Sequence, residues 1–130
     1  MATITLYDET TLGEKLPGLT LVLPTQRITA RELIRQRIAA EVDNYNQNRA
    51  EPFQGLVQPS DSERLLNGYK LWTDRKIDRE QQFQLAIAAF GSNGFILLVN
   101  DFQVEDLDIE LELDGDSMVS FLKLIPLVGG

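Results

Sequence analysis

A chain of 130 residues with 43% hydrophobic and 25% charged content is sized for one domain that buries roughly two-thirds of its unfolded surface, and no apolar run nears the ~20 residues of a membrane span. With no cysteine and no histidine it lacks disulfides, thiol nucleophiles, imidazole bases and the usual zinc ligands, so neither an enzyme nor a metal or cofactor site is expected. A net charge of −8 repels phosphate backbones and turns the expectation from nucleic acid to protein partners.

Thr3–Tyr7 alternates polar and apolar residues, and Leu19–Leu23 follows after a loop holding Gly13, Pro17 and Gly18. This predicts two strands joined by a long hairpin. Thr29 and Glu32 form a capping box ahead of Ile34, Ile38, Val42 and Tyr45, which predicts a helix over Ala30–Tyr45 with one face for the sheet. Asn46–Gln58, rich in Asn, Gln, Gly and Pro, reads as a loop. Ser60 and Glu63 make a second capping box and predict a short helix stopped by Asn67-Gly68. Tyr69–Trp72 reads as a short edge strand. Asp78 and Gln81 cap a further helix that carries Phe83, Ile87 and Phe90 on one stripe and ends at Gly91.

Phe95–Val99 is apolar on both faces and predicts a central strand paired with the N-terminal hairpin. Leu107, Ile109, Leu111 and Leu113 alternate with Asp108, Glu110 and Glu112, the pattern of a strand with one face inward and one wet. Asp114-Gly115 turns the chain into a last strand over Met118–Leu124. Pro126 cannot continue a ladder, so Pro126, Leu127, Val128, Gly129 and Gly130 read as a slim tail. Residues 101–116 hold eight carboxylates and no Lys or Arg. Nothing in MATITLYDET resembles a secretory signal, and the cytoplasm is the expected compartment.

Two strands, a helix, then further strands feeding a Gly-Gly tail resemble the β-grasp fold of ubiquitin and the prokaryotic sulfur carriers. The most specific similarity runs through Val99-Asn100-Asp101, Asp114-Gly115-Asp116-Ser117-Met118-Val119 and Phe121 to Gly130. These residues resemble the molybdopterin synthase small subunit and the thiamine sulfur carrier, which show an Asn-containing strand, a Gly-Asp turn, an apolar strand, Pro and Gly-Gly. Those carriers have little between helix and third strand, whereas residues 46–94 add about fifty here, which makes a resemblance to the bacterial ubiquitin-like proteins of conjugation-type operons at least as plausible. The expected architecture is α+β: a single ubiquitin-like domain over 1–130, its mixed sheet crossed by the first helix, with a helical insertion between that helix and the third strand.

The resemblance implies that an adenylating enzyme activates Gly130 for conjugation to a target, with a conjugating enzyme and a deubiquitinase-like peptidase as further partners. A sulfur carrier would instead form a thiocarboxylate there. Glycine suits such a tail because a chain without Cβ threads a narrow channel and leaves the carbonyl open to attack. A reading of another class is an adaptor that binds through its acidic face, with Asp108, Glu110 and Glu112 as the docking carboxylates. Trp72 and Tyr69 beside Arg75 and Lys76 read either as core with snorkelling stems or as a nucleotide or peptide groove.

Overall fold

The computed structural model describes residues 1–66 and 68–124. Its fold is α+β, in two compact units: Met1–Leu33 with the chain from Phe90 onward, and Ile34–Ala89. No helix among the described residues is long and apolar enough to cross a membrane.

In the first unit, β1 (Ala2–Glu9), β2 (Lys15–Leu23), β6 (Phe95–Val99), β7 (Phe102–Val104) and β9 (Val119–Lys123) form a mixed five-stranded sheet. Its order is β2-β1-β9-β6-β7. β1 and β9 run parallel, and every other pair is antiparallel. The hairpin strands are longer than the alternation predicts, because Pro17 and Gly18 lie within β2 rather than in its loop. Pro17 is tolerated there because β2 is an edge strand, where a missing N–H costs no ladder bond. Register slips between Thr5 and Tyr7. A Cβ on Gly18 would sit 3.3 Å from Leu6 O, a tight contact that would make the bulge give by a few tenths of an ångström.

β6 is interior, as its apolar run predicts, but it does not pair with the N-terminal hairpin. β9 lies between them, bonded to β1 on one side and β6 on the other. Leu6, Leu97, Val119 and Phe121 are fully buried on one face, whereas Ile96 and Leu98 on the other are only half-buried. The turn into β7 uses Asn100 and Asp101 at φ 51° and 68°. Two left-handed residues between Val99 and its partner Phe102 are the signature of a tight type I′ hairpin, which a reading of Asn100 as strand passes over.

The predicted strand over 107–113 is only partly a strand, because Leu107 and Asp108 form a turn. Only β8 (Glu110–Glu112) is extended, and it pairs with β3 (Arg27–Thr29) in a separate ribbon outside the main sheet. The carbonyls of Leu107 and Ile109 are taken by Arg31 N–H at 2.8 Å and Ala30 N–H at 3.1 Å, the orphan donors at the start of α1 (Ala30–Gln47). A segment that caps a helix cannot also lie flat as a strand. Ile109 is left exposed, while Leu111 and Leu113 are buried as the alternation requires.

In the second unit, α1 continues with Ile34, Ile38, Val42 and Tyr45 buried, as their spacing predicts. The cap also forms: Thr29 Oγ1 accepts Glu32 N–H at 3.1 Å. Sequence spacing misses Arg37 and Glu41, which are buried too and form an ion pair at 3.0 Å. Glu41 Oε1 also accepts Leu56 N–H at 3.2 Å, tying the loop over 46–58 to the helix.

The predicted helix from Ser60 is instead β4 (Ser62–Leu65), which pairs antiparallel with β5 (Gly68–Leu71). Asp61 at φ 54° interrupts any helical start after Ser60, and Ser62 Oγ donates to Pro59 O at 2.7 Å. Asn-Gly between two short runs is a hairpin signal as much as a helix stop. The expected edge strand at Tyr69–Trp72 is present as β5, shifted by one residue. α2 (Arg79–Gly91) is capped by Asp78, whose Oδ2 accepts Gln81 N–H at 2.8 Å. Its most buried residues are Gln82, Phe83 and Ala86, with Ile87 and Phe90 half-buried. Between α1 and β6 there is therefore one hairpin and one helix, not two helices.

Candidate functional site

The tail residues Pro126, Leu127, Val128, Gly129 and Gly130 lie outside the described residues; the strand that leads to them does not. β9 is the middle strand of the sheet, with Val119, Ser120 and Phe121 buried. Two devices set its start. Asn100 N–H donates to Met118 O at 2.8 Å, and Asn100 Oδ1 accepts Met118 N–H at 2.9 Å. Asp114 organises the turn before it, accepting Ser117 N–H on its carbonyl at 3.1 Å and Asp116 N–H on its carboxylate at 2.8 Å. At the far end Leu124 N–H reaches Gly94 O at 3.3 Å. The chain toward residue 125 thus leaves from a strand bonded on both edges, a fixed base for whatever follows.

The half-exposed face of the sheet is ordered by register. Tyr7, Ser120 and Leu98 lie in one row across β1, β9 and β6, and Glu9, Leu122 and Ile96 in the next. Neighbours in a row stand about 4.8 Å apart and rows about 7 Å apart, so this is one contiguous band. Ser120 Oγ and Glu9 Oε2 are the buried side-chain oxygens among the described residues that lack a hydrogen-bond partner. Buried polar atoms are nearly always satisfied, and here both exceptions fall in the same apolar band. Sequence patterning does not expose this surface, because the face of Leu98 or Leu122 follows from a register that only the pairing of β9 between β1 and β6 supplies.

The three carboxylates Asp108, Glu110 and Glu112 do not form one strand face. Asp108 sits in the turn before β8 and pairs with Arg31 at 3.1 Å; Asp106 Oδ1 accepts its N–H at 2.9 Å. Glu110 is 3.9 Å from Arg27, both well exposed, and Glu112 stands opposite Arg27 in register. Two arginines from the start of the chain therefore offset part of the acidic segment, each exposed pair contributing under about 1 kcal/mol. No cluster of carboxylates among the described residues is arranged to hold a metal ion.

In the second unit, Tyr69 and Trp72 diverge. Trp72 is 67% exposed, while Tyr69 packs against Phe53 with ring centroids 6.5 Å apart. Burial raises the Tyr69 phenol, as it does that of Tyr45, where Asp74 adds to the effect. Arg75 is not free beside them: its Nη2 donates to Ser60 O.

Comparison with known proteins returns no match to a family model, a curated protein or a solved structure.

Proposed function

We propose that the chain is a ubiquitin-like protein modifier of β-grasp fold, activated at Gly129-Gly130 by an ATP-using adenylating enzyme and conjugated to a target. The observation that carries this reading is the strand order β2-β1-β9-β6-β7 with β1 and β9 parallel. An N-terminal hairpin, a helix, and a last strand inserted beside the first is the arrangement a β-grasp requires. It also puts the root of the Gly-Gly segment at the middle of the sheet. From Pro126 to Gly130 an extended chain spans at most about 17 Å, enough to enter a buried active site while the sheet stays outside.

The chemistry is that of an acyl transfer in which this protein is the substrate. The Gly130 carboxylate attacks the α-phosphate of ATP, giving an acyl-adenylate and releasing pyrophosphate. A cysteine thiolate of the activating enzyme then displaces AMP to give a thioester, and a target amine displaces the thiolate. A peptidase of the deubiquitinase type would act on the bond behind Gly130. The half-exposed band around Tyr7, Leu98 and Leu122 is the docking face for such enzymes.

The test is an intact-mass measurement after mixing the protein with ATP and the adenylating enzyme encoded nearest to it. Adenylate, thioester or conjugate is the expected product, and a thiocarboxylate would move the protein to sulfur transfer. Gly129→Val and a residue appended to Gly130 should each abolish the product while leaving thermal unfolding unchanged. Cellular function that survives both changes would overturn activation at the tail and leave an adaptor.

A further inference from the structure

A second site lies wholly within the unit Ile34–Ala89, in the wedge beside β5. One edge of β5 is taken by β4. On the other, Phe53 makes a single bridge, giving its N–H to Tyr69 O at 2.8 Å and accepting Tyr69 N–H at 3.0 Å. In an antiparallel ladder the next pair on that edge would be Leu71 with Glu51. It does not form. Glu51 donates its N–H to Asn48 O at 3.3 Å, and Pro52 between them has no N–H and a fixed φ, so the chain peels away from β5 after one rung.

Alternate residues of a strand aim their backbone groups at opposite edges. Trp72 N–H bonds Asp61 O on the β4 side; Tyr69, and hence Leu71, point the other way, into the wedge. Thr73, in the bend after β5, lines the cavity and makes no hydrogen bond among the described residues. The wedge is an open cavity of about 750 Å³, walled by Tyr45, Pro52, Leu71, Trp72 and the Arg49–Asp74 pair. That pair is closed on itself at 2.9 Å, and the unit as a whole has 8 Lys/Arg against 8 Asp/Glu. An unused main-chain donor and acceptor, an exposed indole and no net charge match an uncharged backbone better than an ionic ligand.

We propose that this wedge binds an extended, proline-free peptide segment of a partner protein, which adds to β5 through the Leu71 N–H and C=O and lays an apolar side chain on Trp72. Strand addition of this kind draws its affinity from main-chain bonds and its selectivity from alternate side chains. The site is independent of the tail, so its failure and that of the activation reading are separate results.

The probe is a random heptapeptide library displayed on phage, selected on the full chain and, in parallel, on Trp72→Ala. Peptides alternating apolar and polar residues should be enriched at least tenfold on the wild-type protein. A synthetic copy of the best should quench the fluorescence of Trp72, the one tryptophan in the chain. It should slow amide exchange at Leu71 and Thr73 at least tenfold, and N-methylation of its alternate residues should weaken it tenfold or more while Trp72→Phe retains it. No enrichment over Trp72→Ala, proline-rich winners, protection elsewhere, or indifference to N-methylation would each overturn the proposal. So would a concentration-dependent dimer of the free chain that protects the same amides, since a second copy would then fill the wedge.

Discussion

The two units distribute charge in opposite ways. Met1–Leu33 with the chain from Phe90 onward holds 4 Lys/Arg against 12 Asp/Glu, whereas Ile34–Ala89 holds 8 of each. The whole net charge of −8 therefore belongs to the unit with the five-stranded sheet. That unit tolerates it because most of its carboxylates are exposed: two charges about 7 Å apart in water repel by only about 0.6 kcal/mol, and less with salt. The described residues of the second unit form only the β4–β5 hairpin as sheet, and its apolar core is supplemented by specific polar ties. Asn46 grips Ile77 through both its side-chain oxygen and nitrogen, at 2.9 and 3.0 Å. Gln82 reaches Val57 O at 2.9 Å, and Arg79 clasps Asp43. Both units bury an apolar core; the first adds the pairing of a five-stranded sheet, the second side chains that fasten loops to helices.

The sharpest way to break that contrast is in the sheet. Leu97→Ala removes a fully buried side chain and should cost about 2–5 kcal/mol. Leu98→Ala, on the half-exposed face, should cost less than half as much. Urea titrations of the two variants decide it: equal losses would mean that the band around Leu98 is covered and is no docking face. Glu110→Ala, whose Arg27 partner is distant and exposed, should stay within about 0.5 kcal/mol in the same titration.

A further variant addresses the other unit. Gly68 sits at φ +111°, and a Cβ there would lie 2.6 Å from Phe53 O. Gly68→Ala therefore strains the backbone and pushes against the Phe53–Tyr69 bridge, at a cost of about 1–3 kcal/mol. Hydrogen exchange should show lost protection over Phe53–Leu71 and little change in β1, β6 and β9. Uniform loss across both units would mean that they unfold as one cooperative body.

The contrast also explains what was legible beforehand. Ile34, Ile38 and Val42, the capping residues Thr29 and Asp78, and the interior run Phe95–Val99 are local patterns, and each gave its element. Sites decided by distant partners were not legible. The stretch at Leu107–Ile109 alternates like a strand, yet its carbonyls are drawn to the first turn of α1, residues away in sequence but adjacent in space. Ser60 with Glu63 has the spacing of a helix start, but Asp61 turns left-handed and the segment finds β5. Arg37 and Glu41 look like solvent residues by type, and are buried because each neutralises the other and Glu41 also holds Leu56. The tail is a reading of the sequence alone and lies outside the described residues; the band around Leu98 emerges only through register, and the β5 wedge only through the bond that Glu51 gives to Asn48 instead of Leu71.

The smallest expected effect is electrostatic and belongs to the second unit. Glu80 accepts a hydrogen bond from Gln84 Nε2 at 2.9 Å and one from Arg35 Nη1 at 3.0 Å, and these two, in that order, hold its carboxyl below the ordinary value of 4.5. Arg35 is itself steadied by the Phe83 ring, 3.9 Å from its guanidinium carbon. With a lowered folded pKa, the unfolded chain binds the proton first as pH falls. The contribution of Glu80 to stability is therefore full above 4.5 and is lost as pH drops through the folded value. The side chain is exposed, so the effect on unfolding is slight, and the direct readout is the carboxyl titration followed by NMR. Its midpoint should fall below 4.5 in the wild-type protein and move back toward it in Gln84→Ala, with a smaller return in Arg35→Met. A wild-type midpoint at or above 4.5 would mean that neither hydrogen bond persists in solution, and with them would go the view that polar ties, rather than burial alone, fasten α2 to α1 within this unit.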